Sequence, residues 1–162
     1  MCLRVFFTLV FLFTSCTLLF ASQRGSSAVQ QQASTVAEEK NQRTISWKRW
    51  TPKVFEQAKK ENRLLLVDFA AEWCQFCKKM DKTTWLDARV QASINEHYIP
   101  VRVDDEVDPE IAEKYRSYGR PVIVVLNGDG TEIAKKRGYL KPQWMYWTLE
   151  GIAQNPTPEA NR

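Results

Sequence analysis

Past its N-terminal stretch this chain has almost no cysteine and almost no histidine. Of 162 residues four are cysteine, but Cys2 and Cys16 lie within the first 21, which leaves Cys74 and Cys77; the sole histidine is His97. One pair of cysteines three residues apart is not the multi-bridge framework that staples a small secreted domain. With one histidine it also falls short of the four ligands of a structural zinc site. No sign of charge dominates either. Twenty-three basic residues face 19 acidic ones, a formal net charge of +4, and without Arg4 the count is 22 to 19, or +3. No lysine-rich stripe and no internal repeat is present, so nucleic acid is not an indicated partner. What remains is ordinary: 26% charged and 44% hydrophobic residues, a globular composition with room for one domain and a tail.

The longest apolar stretch sits at the N-terminus. Arg4 precedes the run Val5 to Phe13, and after Thr14-Ser15-Cys16-Thr17 the chain is apolar again from Leu18 to Ala21. That is the composition of an export signal. Its fate stays open. Small-residue cleavage sites occur near Ala21-Ser22 and at Ser26-Ser27-Ala28. The 17 uncharged residues from Val5 to Ala21 reach the lower limit of a membrane span. Phe13-Thr14-Ser15-Cys16 weakly resembles a lipoprotein box. Residues 22–44, rich in Gln, Ser, Ala and Glu, read as a flexible spacer, 45–154 as the folded domain and 155–162 as a frayed tail.

Within the domain, Thr51-Pro52 signals a helix start, with Thr51 as cap. Leu64 to Ala71 is apolar except for Asp68, as in a central strand covered on both faces. Trp73-Cys74-Gln75-Phe76-Cys77-Lys78 opens a helix to about Thr83, and Asp87 caps a short one carrying Val90 and Ile94. Ile99, Val101 and Val103 alternate with Pro100, Arg102 and Asp104, a half-exposed strand that Pro100 places toward a sheet edge. Asp108-Pro109 starts another helix. Val122 to Leu126 is a second apolar strand, Asn127-Gly128-Asp129-Gly130 a hairpin turn, and Thr131 to Lys136 the returning strand. Pro142 opens a last helix with Met145, Leu149 and Ile152 on its inner face, and one or both of Trp144 and Trp147 are expected to cover the sheet. Alternating elements imply parallel strands, and the closing hairpin makes the sheet mixed.

The cysteine pair stands where a buried strand gives way to a helix. Amide groups of a first helical turn favour a thiolate, so Cys74 is the better nucleophile. Cys77, one turn on and expected to be more buried, is placed to resolve, and thiol–disulfide exchange needs both. A structural bridge would close only a tiny loop and constrain the unfolded chain little. A Cu(I) module using the two thiolates with Met80 nearby is the alternative. It lacks further soft ligands. No metal and no cofactor is otherwise indicated.

Val67-Asp68-Phe69-Ala70-Ala71-Glu72-Trp73-Cys74-Gln75-Phe76-Cys77-Lys78 resembles the active-site segment of the thioredoxin superfamily. Gly119-Arg120-Pro121-Val122 is similar to its loop with a cis proline before a core strand, and Gly128-Asp129-Gly130 and Gly138-Tyr139 to its later turn and strand end. Lys82 to Asp87 and Val90 resemble exported thioredoxin-like domains such as the C-terminal domain of the bacterial thiol-disulfide interchange reductase. The resemblance covers about Ile45 to Ala153. It implies an α/β thioredoxin-like fold, a central mixed sheet of four to five strands flanked by helices. It implies a thiol-disulfide oxidoreductase whose redox-active disulfide joins Cys74, the attacker, to Cys77. Asp68 would be a buried carboxylate taking the Cys77 proton, or else an acid paired with a lysine. Trp73, Phe76, Arg120 and Pro121 would meet substrate. Glu72 and Lys78 read as solvated charges that tune the local potential, and His97 as a surface or capping residue. Gln75-Phe76 brings no charge, favouring a reducing or intermediate potential, while an Arg120 cation near the sulfurs would push the other way. The implied setting is extracytoplasmic, the bacterial periplasm, with protein disulfides as substrates, a membrane-embedded electron donor, and residues 5–21 as a possible tether.

Overall fold

The computed structural model describes residues 44–161. The apolar leader and the spacer up to Arg43 lie outside them. Five strands form one sheet: β1 (Lys48–Arg49), β2 (Leu64–Ala70), β3 (Tyr98–Asp104), β4 (Val122–Leu126) and β5 (Glu132–Arg137). Five helices accompany it: α1 (Pro52–Glu61), α2 (Gln75–Lys82), α3 (Ala88–His97), α4 (Pro109–Glu113) and α5 (Pro142–Gln154), with 3-10 turns at Thr84–Leu86 and Arg116–Tyr118.

The strand order is β1-β3-β2-β4-β5. β1 and β2 both run parallel to β3, while β4 is antiparallel to β2 and to β5. The sheet is therefore mixed, but the mixing begins one strand earlier than alternation implies. The cause is the connection between β3 and β4. Its five-residue helix is only about 7.5 Å long, too short to carry the chain back along a seven-residue strand of about 23 Å. So β4 enters from the end where β3 leaves, and Val122 pairs with Phe69 at the exit of β2.

Several expectations change. β3 lies one place in from the edge, because β1 pairs with Val101 and Arg102, a strand too short for its sequence to signal. β3 is also more buried than alternation suggests, with Pro100 inside and Arg102 half-buried, since helices cover both faces. Residues 155–161 are hydrogen-bonded among themselves: Asn161 donates through Nδ2 to the carbonyls of Asn155 at 2.7 Å and Thr157 at 2.9 Å. Thr51, too, makes no side-chain capping bond, whereas Asp87 accepts from the amides of Arg89 and Val90 as a cap should.

The period of two along β2 sorts its residues between two cores. Leu65, Val67 and Phe69 pack toward α1 and α4 with Val54, Val101 and Val124. Leu66 faces the other way, among Met80, Ile94, Tyr98, Met145 and Leu149 from α2, α3, β3 and α5. Asp68 and Ala70 share that second face. Met145, Leu149 and Ile152 are buried as expected. Trp144 and Trp147 are not: they are 58% and 50% exposed and meet each other edge to face at 5.1 Å. A helix on a sheet buries one stripe, and Met145 already occupies it. Among the described residues no helix is long and apolar enough to cross a membrane.

Candidate active site

The exit of β2 delivers Ala70 and Ala71 into a small buried cluster with Cys74 and Cys77. Cys74 is the N-cap of α2, with extended backbone, and its Sγ accepts the Cys77 amide at 3.0 Å. A cap residue normally offers a side-chain oxygen there; here sulfur takes the place. The two cysteines form a disulfide with Cα atoms 5.3 Å apart. They are equally buried, each about 3% exposed, so the expected difference in depth is absent: the bridge holds both sulfurs in one cluster.

Around this pair the surface is aromatic. Trp73 is 64% exposed and Phe76 57%. The Phe76 ring stacks on Tyr139 at 6.3 Å and 28°. Lys79 Nζ stands 4.5 Å over the same Tyr139 ring, and the Tyr139 hydroxyl meets Thr83 Oγ1 at 3.3 Å. Glu72 and Lys78 form an exposed ion pair of 3.0 Å, worth little in water.

Pro121 is buried and follows a cis peptide bond with Arg120. It sits one residue before Val122, which pairs with Phe69, so it lies beside the exit of β2 that leads to the cysteines. Gly119 carries φ 74°, a left-handed turn that suits glycine. The Pro121 carbonyl accepts the Gly138 amide at 2.8 Å. The Arg120 amide and carbonyl make no hydrogen bond among the described residues.

The Arg120 side chain is not presented to the surface. Its side chain is 2% exposed and ion-paired with Asp105. Nε donates to Asp105 Oδ1 at 2.7 Å, and the two Nη atoms donate to the carbonyls of Ala112, Tyr115 and Gly119. Its guanidinium also lies 5.6 Å from the centre of the Phe69 ring. A cation buried this way must find its partners inside. Asp105 neutralises it, which removes the push on the thiolate that its charge alone suggests.

Asp68 is buried, 1% exposed. Burial pushes its pKa from 3.8 up to about 6; Arg102 pulls it down, Asp81 raises it further and the Trp85 indole lowers it. Its cationic neighbour is an arginine rather than a lysine. Arg102 Nη2 stands 3.5 Å from Asp68 Oδ2. Neither Asp68 Oδ2 nor the nearby Trp85 Nε1 has a hydrogen-bond partner. Met80 is fully buried in the apolar core, and among the described residues no three His, Cys, Asp or Glu side chains gather as metal ligands.

Sequence reasoning missed Arg102, Asp81, Trp85, Asp105 and Tyr139. Arg102 carried a usable signal: it aligns with Asp68 on the neighbouring strand, and a buried acid calls for a cation within reach. Asp105 carried none, since its pairing depends on how the β3–β4 connection folds back.

A disulfide at the N-terminus of a helix, after a central strand and beside a cis proline, defines the thioredoxin-like class. The chain belongs to the Thioredox_DsbH family, described as a protein of unknown function, DUF255, which matches residues 26–131. It is similar to the thiol:disulfide interchange protein DsbD of Colwellia psychrerythraea, 29% identical over 92 residues, 53% of this chain and 15% of that protein. It is also similar to spermatogenesis-associated protein 20 of Rattus norvegicus, 26% identical over 74 residues, 46% of this chain and 9% of that protein. The chain thus spans less than a fifth of each. Among solved structures, the C-terminal domain of Neisseria meningitidis DsbD in the reduced form superposes with a TM-score of 0.50 at 25% identity, covering 60% of this chain and 90% of that one. A DsbH oxidoreductase superposes with a TM-score of 0.52 at 19% identity, covering 59% and 77%. The family match, the fold and the Cys74–Cys77 pair make the chain a thioredoxin-like protein related to DsbD.

Proposed function

We propose that the protein is an exported thiol-disulfide oxidoreductase that reduces or exchanges disulfides in extracytoplasmic proteins through Cys74 and Cys77. The observation that carries this is the disulfide at the cap of α2, whose Cys74 sulfur already accepts a first-turn amide at 3.0 Å.

In the reduced form that amide and the helix dipole stabilise the Cys74 thiolate. The thiolate attacks one sulfur of a substrate disulfide. A Cys74–substrate bond forms, the substrate disulfide breaks, and one substrate sulfur leaves as a thiolate. Asp68 takes the proton of Cys77. The Cys77 thiolate then attacks Cys74 Sγ, the intramolecular disulfide closes, and the second substrate sulfur departs. Two electrons have passed to the substrate, and a dithiol donor must return them. A raised carboxyl pKa suits Asp68 to accept and release a proton near neutrality.

Trp73 and Phe76 supply an apolar rim for a protein partner. Pro121 and the Arg120 amide and carbonyl, which bond to none of the described residues, offer strand-like bonds to an extended substrate segment; the Arg120 side chain does not take part. The uncharged Gln75-Phe76 pair and the neutralised Arg120 support a reducing or intermediate potential. The export setting is supported by the apolar leader and by the relation to DsbD, with residues 22–44 as spacer and 5–21 as signal or tether. The donor is then a membrane-embedded dithiol protein.

Insulin reduction tests the chemistry: Cys74→Ser should abolish it, and retained activity would refute the proposal. Cys77→Ser expressed with the native leader should accumulate mixed disulfides on Cys74 with extracytoplasmic proteins. Adducts with cytosolic proteins alone would overturn the export reading.

A further inference from the structure

Asp81, the penultimate residue of α2, has no part in the exchange reaction, yet it holds Arg102, the cation that also pairs with Asp68. Its carboxylate takes both terminal nitrogens of Arg102: Nη1 to Oδ1 at 2.7 Å and Nη2 to Oδ2 at 3.1 Å. This is the fork-to-fork geometry that arginine favours. The same Nη2 is 3.5 Å from Asp68 Oδ2, beyond a normal hydrogen bond, and that oxygen has no partner. Trp47 lies against the guanidinium, 5.7 Å from ring centre to Cζ. One guanidinium is therefore divided between two carboxylates, and the half-exposed one holds the better share.

Charge counting gives the consequence. With Asp68 protonated, Arg102 and Asp81 form a neutral pair. With Asp68 ionised, the cluster carries a net negative charge next to a buried carboxylate, which costs free energy. Asp104 on β3 also acts on Arg102. Lys136 on β5 shares the face, beyond Ile123 of β4, and Trp85 contributes its indole. The remaining neighbours on this face are Tyr98 of β3 and apolar residues of α2, α3, α5 and the strands, among them Met80, Ile94, Ile133 and Met145.

We propose that Asp81 is a positioning residue for thiol–disulfide exchange: by holding Arg102 it keeps that cation from closing on Asp68, and so leaves Asp68 Oδ2 open to take the Cys77 proton. The lone pair that a closed ion pair would occupy is the one the proton needs. This rests on the reading of Asp68 as proton acceptor, and the test separates the two.

The oxidised full chain is labelled with carbon-13 at its aspartate side-chain carboxyls and titrated by NMR, the Asp68 signal being assigned by its loss in Asp68→Asn. In the disulfide form the two cysteines do not titrate, so their ionisation cannot distort the curve. Asp81→Asn should lower the Asp68 midpoint by about one pH unit, because Arg102 is then undivided. Arg102→Met should raise it by a similar amount, and Asp81→Glu should restore the wild-type value. A purely structural Asp81 would lower stability without moving the midpoint in these opposite senses. An unmoved or raised midpoint in Asp81→Asn overturns the proposal.

Stopped-flow measurement of mixed-disulfide resolution, with oxidised glutathione as the probe, supplies the second arm. Asp81→Asn should slow resolution about three- to tenfold near pH 7, and Asp68→Asn should slow it further. If Asp68→Asn resolves at the wild-type rate, the proton-acceptor reading fails and the role of Asp81 in exchange fails with it. If Asp68→Asn is slow while Asp81→Asn leaves both midpoint and rate unchanged, only the role given to Asp81 is refuted.

Discussion

Replacing Asp68 by asparagine should stabilise the oxidised protein at neutral pH, and the gain should disappear in acid. The ordinary aspartate value of 3.8 is pushed up to about 6 in the fold, first by burial. The folded chain therefore binds this proton more tightly than the unfolded chain does. The stability linked to it is fully present below pH 3.8 and is lost as the pH rises through 6. At about 1.36 kcal/mol per pH unit, that interval corresponds to about 3 kcal/mol. Asparagine fits the same space and carries no charge to desolvate. Urea unfolding of both proteins without reductant, followed by fluorescence from pH 3.5 to 8, reads the effect. Every other carboxylate contributes to both proteins, so the difference isolates position 68. That difference should grow by about 3 kcal/mol between acid and neutral pH and then level off. A difference flat to within about 0.5 kcal/mol, or one in which the wild type gains on the variant as pH rises, would refute the reasoning.

Arg120→Ala removes the partner of Asp105 and the donors to three carbonyls, so it should cost about 3 kcal/mol and lower the melting temperature by about 10 °C; a fall below about 3 °C would show that the buried cation contributes little. Gly128→Ala would place a Cβ 2.6 Å from Lys59 Cγ and 3.0 Å from its backbone nitrogen; the hairpin turn must then lift away from α1, with an expected loss of about 1–2 kcal/mol in urea unfolding. Phe76→Ala should change stability by less than about 0.5 kcal/mol, because the ring is mostly exposed, while kcat/KM for a protein disulfide falls several-fold and that for oxidised glutathione stays the same; an equal loss on both would place Phe76 in the chemistry rather than in substrate contact.

The sequence made the site legible because its parts are contiguous. Strand, cysteine pair and helix follow one another within Leu64 to Lys82, and each is marked by local pattern: an apolar run, a cap position, a helical stretch. Gly119-Arg120-Pro121 was readable for the same reason. The charge network was not, because it joins three separate elements. Asp68 comes from β2, Arg102 from β3 and Asp81 from α2, and only strand register brings them together. Arg120 shows the limit from the other side. Its position in sequence was right, but the direction of its side chain depends on Asp105, fifteen residues earlier. The direction of β4 likewise depends on how far a five-residue helix can reach, which no periodicity reports. Trp144 and Trp147 were misplaced because hydrophobicity alone does not decide which stripe of a helix is already filled.

The borders of the sheet have a consequence for solubility. β1 pairs with only Val101 and Arg102 of β3, so among the described residues the ladder on that border is two residues long. Pro100 stands just short of the covered part and has no amide hydrogen to offer an incoming strand. At the opposite border β5 carries Lys135, Lys136 and Arg137, charges that discourage strand addition. A protein that handles chains with unformed disulfides would meet many loose strands at close range. Both sides of this sheet are poor templates for them, so under the proposed function the sulfur-bearing end would meet a substrate while the borders would resist co-aggregation with it.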